Sequence, residues 1–135
     1  RVIAECATTV GRIAEAAGKH GIPLEDIFVD PLVQPVSYEN GAAKTTLKTL
    51  GLVKDKYPGI RSVAGVSNVS FGLPGRALLN RTMLAMLMDR GLDAAIMDPL
   101  NRPVLSEIRA AEALLGQDEM CLNYIQLFRE EKISP

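Results

Sequence analysis

Asp30, Asn68 and Asp98 each stand where a short apolar run gives way to a turn, 38 and 30 residues apart. Two carboxylates and an amide make a hydrogen-bonding set, suited to holding a polar ligand rather than to attacking one. The middle member lies in Gly65-Val66-Ser67-Asn68-Val69-Ser70-Phe71-Gly72-Leu73-Pro74-Gly75-Arg76, where an apolar strand runs into a glycine-rich turn and a helix follows. Parallel α/β proteins place binding groups there, because strand C-termini and helix N-termini converge on one face. Spacing alone leaves a plainer reading open for each residue. Asp30 can close a turn before Pro31, and Asn68 can satisfy its local backbone.

Other chemistries find little support. His20 is the single histidine, so no zinc cluster or histidine-based triad can be assembled. It precedes Gly21-Ile22-Pro23 and reads as part of a helix C-terminal turn. Cys6 and Cys121 fall in predicted helices and read as reduced, buried thiols of a cytoplasmic protein. Gly72, Pro74 and Gly75 precede a helix, but neither a phosphate-loop ending nor a dinucleotide fingerprint accompanies them. Met83, Met86, Met88 and Met97 read as core packing.

The elements that must position these groups alternate. Apolar residues from Ala4 to Ala17 recur at helical spacing, and Gly18 to Pro23 stops that helix. Ile27-Phe28-Val29 reads as a buried parallel strand ended by Asp30-Pro31. A helix from about Gly41 to Tyr57 turns Leu47, Leu50 and Val53 inward, and Pro58-Gly59 closes it. Arg61 to Val66 is the second strand. A helix from about Arg76 to Arg90 follows, with Leu79, Met83, Met86 and Leu87 on one face. Ala94 to Met97 is the third strand, and helices over about 104–115 and 119–131 complete the pattern. The predicted class is α/β, with three parallel strands, right-handed crossovers and a final extra helix.

The chain has 135 residues, 47% of them hydrophobic, and a formal charge of -1. That composition fits one globular domain spanning residues 1–135. No basic stripe is present to neutralise phosphates, so no nucleic-acid partner is expected. No apolar run approaches the roughly 18 residues of a membrane span. A helical pattern that starts almost at Arg1, without a methionine, reads as a start inside something larger.

Four stretches carry a resemblance: Phe28-Val29-Asp30-Pro31-Leu32, Gly65 to Gly72, Leu79-Asn80-Arg81-Thr82-Met83-Leu84-Ala85-Met86, and Gly91-Leu92-Asp93-Ala94-Ala95-Ile96. Together they resemble the methyltetrahydrofolate:corrinoid methyltransferases, pterin-binding TIM barrels similar to the folate domain of cobalamin-dependent methionine synthase. A typical TIM barrel has about 250 residues, so the resemblance implies the C-terminal portion of a (β/α)8 barrel, a single partial domain without the N-terminal strands. Dihydropteroate synthases share that barrel, but there Asp-Pro leads into a glycine-rich loop and a later strand bears Ser-Arg-Lys. Here Leu32-Val33-Gln34 follows Asp30-Pro31, and Ser67 precedes Asn68-Val69.

The resemblance implies roles. Asp30 would accept the N–H donors of the pterin aminopyrimidinone edge, as a charge-assisted pair. Asn68 would be catalytic, donating a hydrogen bond to N5 that strengthens as charge develops there. Gly65 and Ser67 would line the ring, and Ile96 would pack on its face. Arg76 would stack on the ring or meet the glutamate tail, and Asp98 would help hold the site. Methyltetrahydrofolate is the implied substrate, and the corrinoid arrives on a partner protein, with no metal bound by this chain. A cytoplasmic homodimer is implied as well. Two other expectations stand beside this one: a non-catalytic barrel fragment that binds pterin or oligomerises, and a dihydropteroate synthase-like enzyme.

Overall fold

A computed structural model describes residues 1–134. They fall into two compact units, Arg1–Ile96 and the residues from Met97 onward. The first unit begins with α1 (Val2–Lys19), a 3-10 turn (Leu24–Asp26) and β1 (Phe28–Val29). After α2 (Ala42–Lys56) and β2 (Arg61–Ala64) come a second 3-10 turn (Val66–Ser70), α3 (Arg76–Asp89) and β3 (Ala94–Ala95). The second unit holds α4 (Arg102–Leu114), a 3-10 turn (Glu119–Cys121) and α5 (Leu122–Arg129).

The three strands form one parallel sheet in the order β1-β2-β3, so the α/β expectation holds. Phe28 pairs with Arg61 and Val29 with Ser62, while Val63 pairs with Ala94 and Ala64 with Ala95. Side-chain alternation therefore sets Val29, Ser62, Ala64 and Ala95 on one face of the sheet. Ser62 and Ala64 are fully buried there. Phe28, Arg61, Val63 and Ala94 share the other face, where the Arg61 guanidinium lies 5.8 Å from the centre of the Phe28 ring. The apolar core gathers Val10 of α1, Val53 of α2 and Ile60 before β2, with Ile27, Val29 and Tyr57 against them. Leu50 and Leu87 are also fully enclosed.

Several predicted boundaries move, each for a local reason. The second strand stops at Ala64 rather than Val66, because Val66 and Val69 both turn inward, at 5% and 4% exposure. Three residues per turn place positions 66 and 69 on one side of a 3-10 helix. The same winding turns Ser67 and Asn68 out to solvent. On α3 the buried side chains are Met83, Leu84 and Leu87, whereas Met86 is 49% exposed, so the apolar stripe sits one position away from the predicted one.

His20 caps α1, as its place before Gly21 predicts. Cys121 lies before α5, not within it. Met120 and Cys121 take left-handed conformations, and the buried Asp118 carboxylate accepts the backbone N–H groups of Asn123 and Tyr124. A carboxylate at that position satisfies helix donors that have no partner inside the helix. Among the described residues no helix is long and apolar enough to cross a membrane.

Candidate functional site

The site is built at the C-terminal end of the sheet. Asp30 directly follows β1, and its Oδ1 accepts the backbone N–H of Leu32 at 2.8 Å. That bond closes an Asx turn around Pro31 and supports Leu32, whose φ of 59° is costly for a residue with a branched side chain. The plainer reading of Asp30 is thus correct as far as it goes. Its Oδ2 takes no part in the turn, and the side chain is exposed.

Two hollows flank this turn. One, of about 270 Å³, lies between α1 and β1 and includes Asp30 with Cys6, Val10, Ile27 and Phe28. The other, of about 560 Å³, is lined by Pro31, Leu32, Gln34, Thr45 and Thr46 among others. Neither includes Asn68.

Gly65 joins β2 to the 3-10 turn and is half-buried; Ser67 and Asn68 follow it and are exposed. The Asn68 amide nitrogen lies 3.6 Å from where a Cβ on Gly65 would stand, so the glycine leaves the strand end uncovered beside that amide. Ile96 follows β3, its N–H bonded to the Ala64 carbonyl at 2.9 Å, and its side chain is 67% exposed. Asp30, the Gly65–Asn68 turn and Ile96 therefore sit at the same end of three adjacent strands. Neighbouring strands lie about 4.8 Å apart, so that end spans roughly the width of a bicyclic ring.

Arg76 opens α3 with its guanidinium folded back on the turn. Nε donates to Ser70 Oγ and Nη2 to the Ser67 carbonyl, both at 2.9 Å. Two of its nitrogens are committed to protein. Asp98 belongs to the second unit, where it repeats the geometry of Asp30: its Oδ1 accepts the N–H of Leu100 at 2.9 Å across Pro99.

Among the described residues no group of three or more His, Cys, Asp or Glu side chains could hold a metal ion. The arrangement offers a carboxylate oxygen, an amide and an exposed apolar side chain along one strand-end edge. Such a set holds a flat polar ring by its edge and its face.

No family model matches the chain. Over 123 residues, 91% of its length, it is 38% identical to the methylcorrinoid:tetrahydrofolate methyltransferase of Eubacterium limosum, covering 45% of that protein. By sequence the chain is a relative of the methyltetrahydrofolate:corrinoid methyltransferases. It is also 28% identical over 101 residues to the methionine synthase of Mycobacterium tuberculosis, a match covering 67% of this chain and 8% of that protein. The chain spans less than half the length of the curated relatives it matches.

Two polar networks in this methyltransferase relative escape a reading of its sequence. At the opposite end of the sheet, Asp93 Oδ2 takes bonds from Lys54 Nζ at 2.7 Å and the Ser62 N–H at 2.8 Å, with the Ser62 hydroxyl 3.0 Å away. Burial is the largest influence on the Asp93 carboxyl and raises its pKa, but these donors together outweigh it and hold the pKa below the ordinary value. A serine inside an apolar strand is the signal that such a network exists. The second network joins Ser70 to Arg76 and Asn80 of α3.

Proposed function

We propose that this chain contributes the strand-end half of a pterin site, in an enzyme that moves a methyl group between a tetrahydrofolate and the cobalt of a corrinoid carried by a partner protein. The observation that carries this reading is the placement of Asp30, the Gly65–Asn68 turn and Ile96 on one end of three neighbouring parallel strands. The sheet is read as an arc of a (β/α)8 barrel, with residues 1–135 forming part of one pterin-binding domain. A cytoplasmic homodimer with no metal of its own is what the resemblance implies.

Asp30 accepts two N–H donors from the aminopyrimidinone edge, using Oδ2 and the remaining lone pair of Oδ1. Gly65 and Ser67 let the ring approach the backbone, and Ile96 covers its face. Arg76 lies at the rim with its unused guanidinium N–H groups towards the substrate. Asn68 meets N5. When the methyl leaves N5 for cobalt(I), the N5–C bond breaks with its electron pair staying on nitrogen, and a new Co–C bond forms. The amide N–H bonds that nitrogen more strongly as charge develops, while the proton N5 finally carries comes from solvent. In the reverse direction, N5 attacks the cobalt-bound methyl and releases its proton to solvent. The resemblance favours methyltetrahydrofolate as donor, whereas the name of the 38% identical relative puts the methyl on the corrinoid first.

The test is spectrophotometric. The chain is mixed with methyltetrahydrofolate and cob(I)alamin, and then with tetrahydrofolate and methylcobalamin. Catalysed interconversion of the two cobalamin spectra in either direction is expected; a folded chain that accelerates neither contradicts catalysis by this half of the site alone.

Asp30→Asn separates binding from turnover. The asparagine oxygen keeps the Leu32 bond and so turns an NH₂ group towards the pterin's own donors. Losing a charge-assisted bond of about 1.5–3 kcal/mol should weaken methyltetrahydrofolate about 10- to 100-fold, measured by fluorescence titration.

A second reading, pterin binding or self-association without catalysis, is favoured by one feature. Asp30 lines a hollow that does not reach Asn68. Binding without methyl transfer would select it.

A further inference from the structure

The 3-10 turn that presents Asn68 is tied to the helix that follows it through Ser70, Asn80 and Arg76, the first two without a role so far. Ser70 is fully buried, and its Oγ lies 2.7 Å from Asn80 Oδ1 and 2.9 Å from Arg76 Nε. Arg76 Nη2 donates to the Ser67 carbonyl at 2.9 Å. Arg76 and Asn80 stand four residues apart on α3, and so on one face of it. The Ser67 carbonyl is 3.2 Å from Ser70 Oγ, a longer approach than that of Asn80 Oδ1. The hydroxyl has one proton. It accepts from the arginine and gives that proton to the nearer oxygen, so the bonds run in one direction, from Arg76 through Ser70 to Asn80.

We propose that Ser70 and Asn80 are positioning residues that, with Arg76, hold in place the backbone of the turn that carries Asn68 before any ligand arrives. This deepens the reading of Asn68 as the group that meets N5, and rests on it. Short 3-10 turns have poor hydrogen-bond geometry. Here the backbone bonds are correspondingly long: the Asn68 N–H reaches the Gly65 carbonyl at 3.4 Å, and the Phe71 N–H reaches the Asn68 carbonyl at 3.2 Å. Bonds of that length hold the backbone of the turn only weakly. The Val66 and Val69 side chains anchor its inner side. The outer side, with Ser67 and Asn68 exposed, is fixed at Ser67 O and Ser70 Oγ, which bracket Asn68. A charged donor at the head of the chain polarises the Ser70 hydroxyl and strengthens its bond to Asn80.

Asn80 matters only as an acceptor on this account. Asn80→Asp keeps an oxygen facing the hydroxyl and should preserve the order of the turn. Asn80→Leu and Ser70→Ala both break the chain.

The experiment is solution NMR on the unliganded chain. Three-bond HN–Hα couplings of Ser67, Asn68 and Val69 report the backbone φ distribution of the turn, and amide hydrogen exchange is followed over residues 67–71. The wild type and Asn80→Asp should show unaveraged φ couplings across the turn. Asn80→Leu should show averaged couplings, with exchange across the turn faster by about tenfold or more. Ser70→Ala should do the same, and decides the matter if Asn80→Leu does not fold. Unchanged couplings and exchange in a folded Asn80→Leu or Ser70→Ala chain would overturn the proposal. So would averaging in Asn80→Asp equal to that in Asn80→Leu. Failure of the Asn68 reading shows itself elsewhere, as wild-type methyl transfer in Asn68→Ala, so the two failures are distinguishable.

Discussion

Asn68→Ala is expected to slow methyl transfer between tetrahydrofolate and cobalamin by about 10²–10³-fold, the usual loss when one preorganised donor to a developing charge is removed. A tertiary amine is a poor leaving group, and the amide N–H is the only protein donor this reading places at N5. Because Asn68 is exposed and its side chain lies outside the core, stability should be unaffected. The affinity for methyltetrahydrofolate should change by much less than the rate, since the bond strengthens only as the nitrogen gains charge. Single-turnover absorbance of cobalamin under saturating folate measures this directly. A rate within twofold of wild type would remove Asn68 from the chemistry.

Asp93→Ala is expected to destabilise the first unit by about 2–4 kcal/mol, without touching the candidate site. The carboxylate carries the Lys54 ammonium and the N–H of the fully buried Ser62. Its removal forfeits a charge-assisted bond and strands a buried donor, each worth about 1–3 kcal/mol and not strictly additive. The sign of the pH dependence follows from the lowered pKa of Asp93. A carboxyl whose pKa is lower folded than unfolded adds stability in full above its unfolded value, about 3.9 for aspartate. That stability is lost as the pH falls through the folded value. The gap between wild type and variant should therefore hold steady from pH 7 to about 5 and narrow below about 4. Urea unfolding followed by circular dichroism at several pH values measures both effects. A difference below about 0.5 kcal/mol at pH 7, the level of an ordinary surface substitution, would show that the network contributes nothing to stability.

What the sequence makes legible is what local rules control. Helices end at Gly91 and at Pro58-Gly59 because those residues terminate helices wherever they stand. The parallel sheet follows from alternating apolar runs and amphipathic helices. Asp30 and Asp98 are found at turns because Asp-Pro closes a strand in a recognisable way. Asn68 is found only approximately. Its segment reads as the end of a strand, yet Val66 and Val69, three positions apart, wind it into a 3-10 turn. That i, i+3 pair is visible in the sequence, but only burial on one side distinguishes it from strand alternation.

The networks are less legible still. Lys54, Ser62 and Asp93 come from three elements and meet only once the sheet registers β2 beside β3. Asn80 lies in a helix whose apolar stripe draws attention elsewhere, and its role appears only when Ser70 is seen buried against it. Arg76 gains a role in a similar way. Its position predicts contact with a ligand, and the structure adds two nitrogens that hold the turn.

The central claim is that the strand-end edge of this chain recognises a pterin. Calorimetric titration of the chain with methyltetrahydrofolate tests it most directly. Saturable binding at one site per chain, competed by tetrahydrofolate, is the predicted result. A chain shown by circular dichroism to be folded, yet giving no heat of binding, would contradict it.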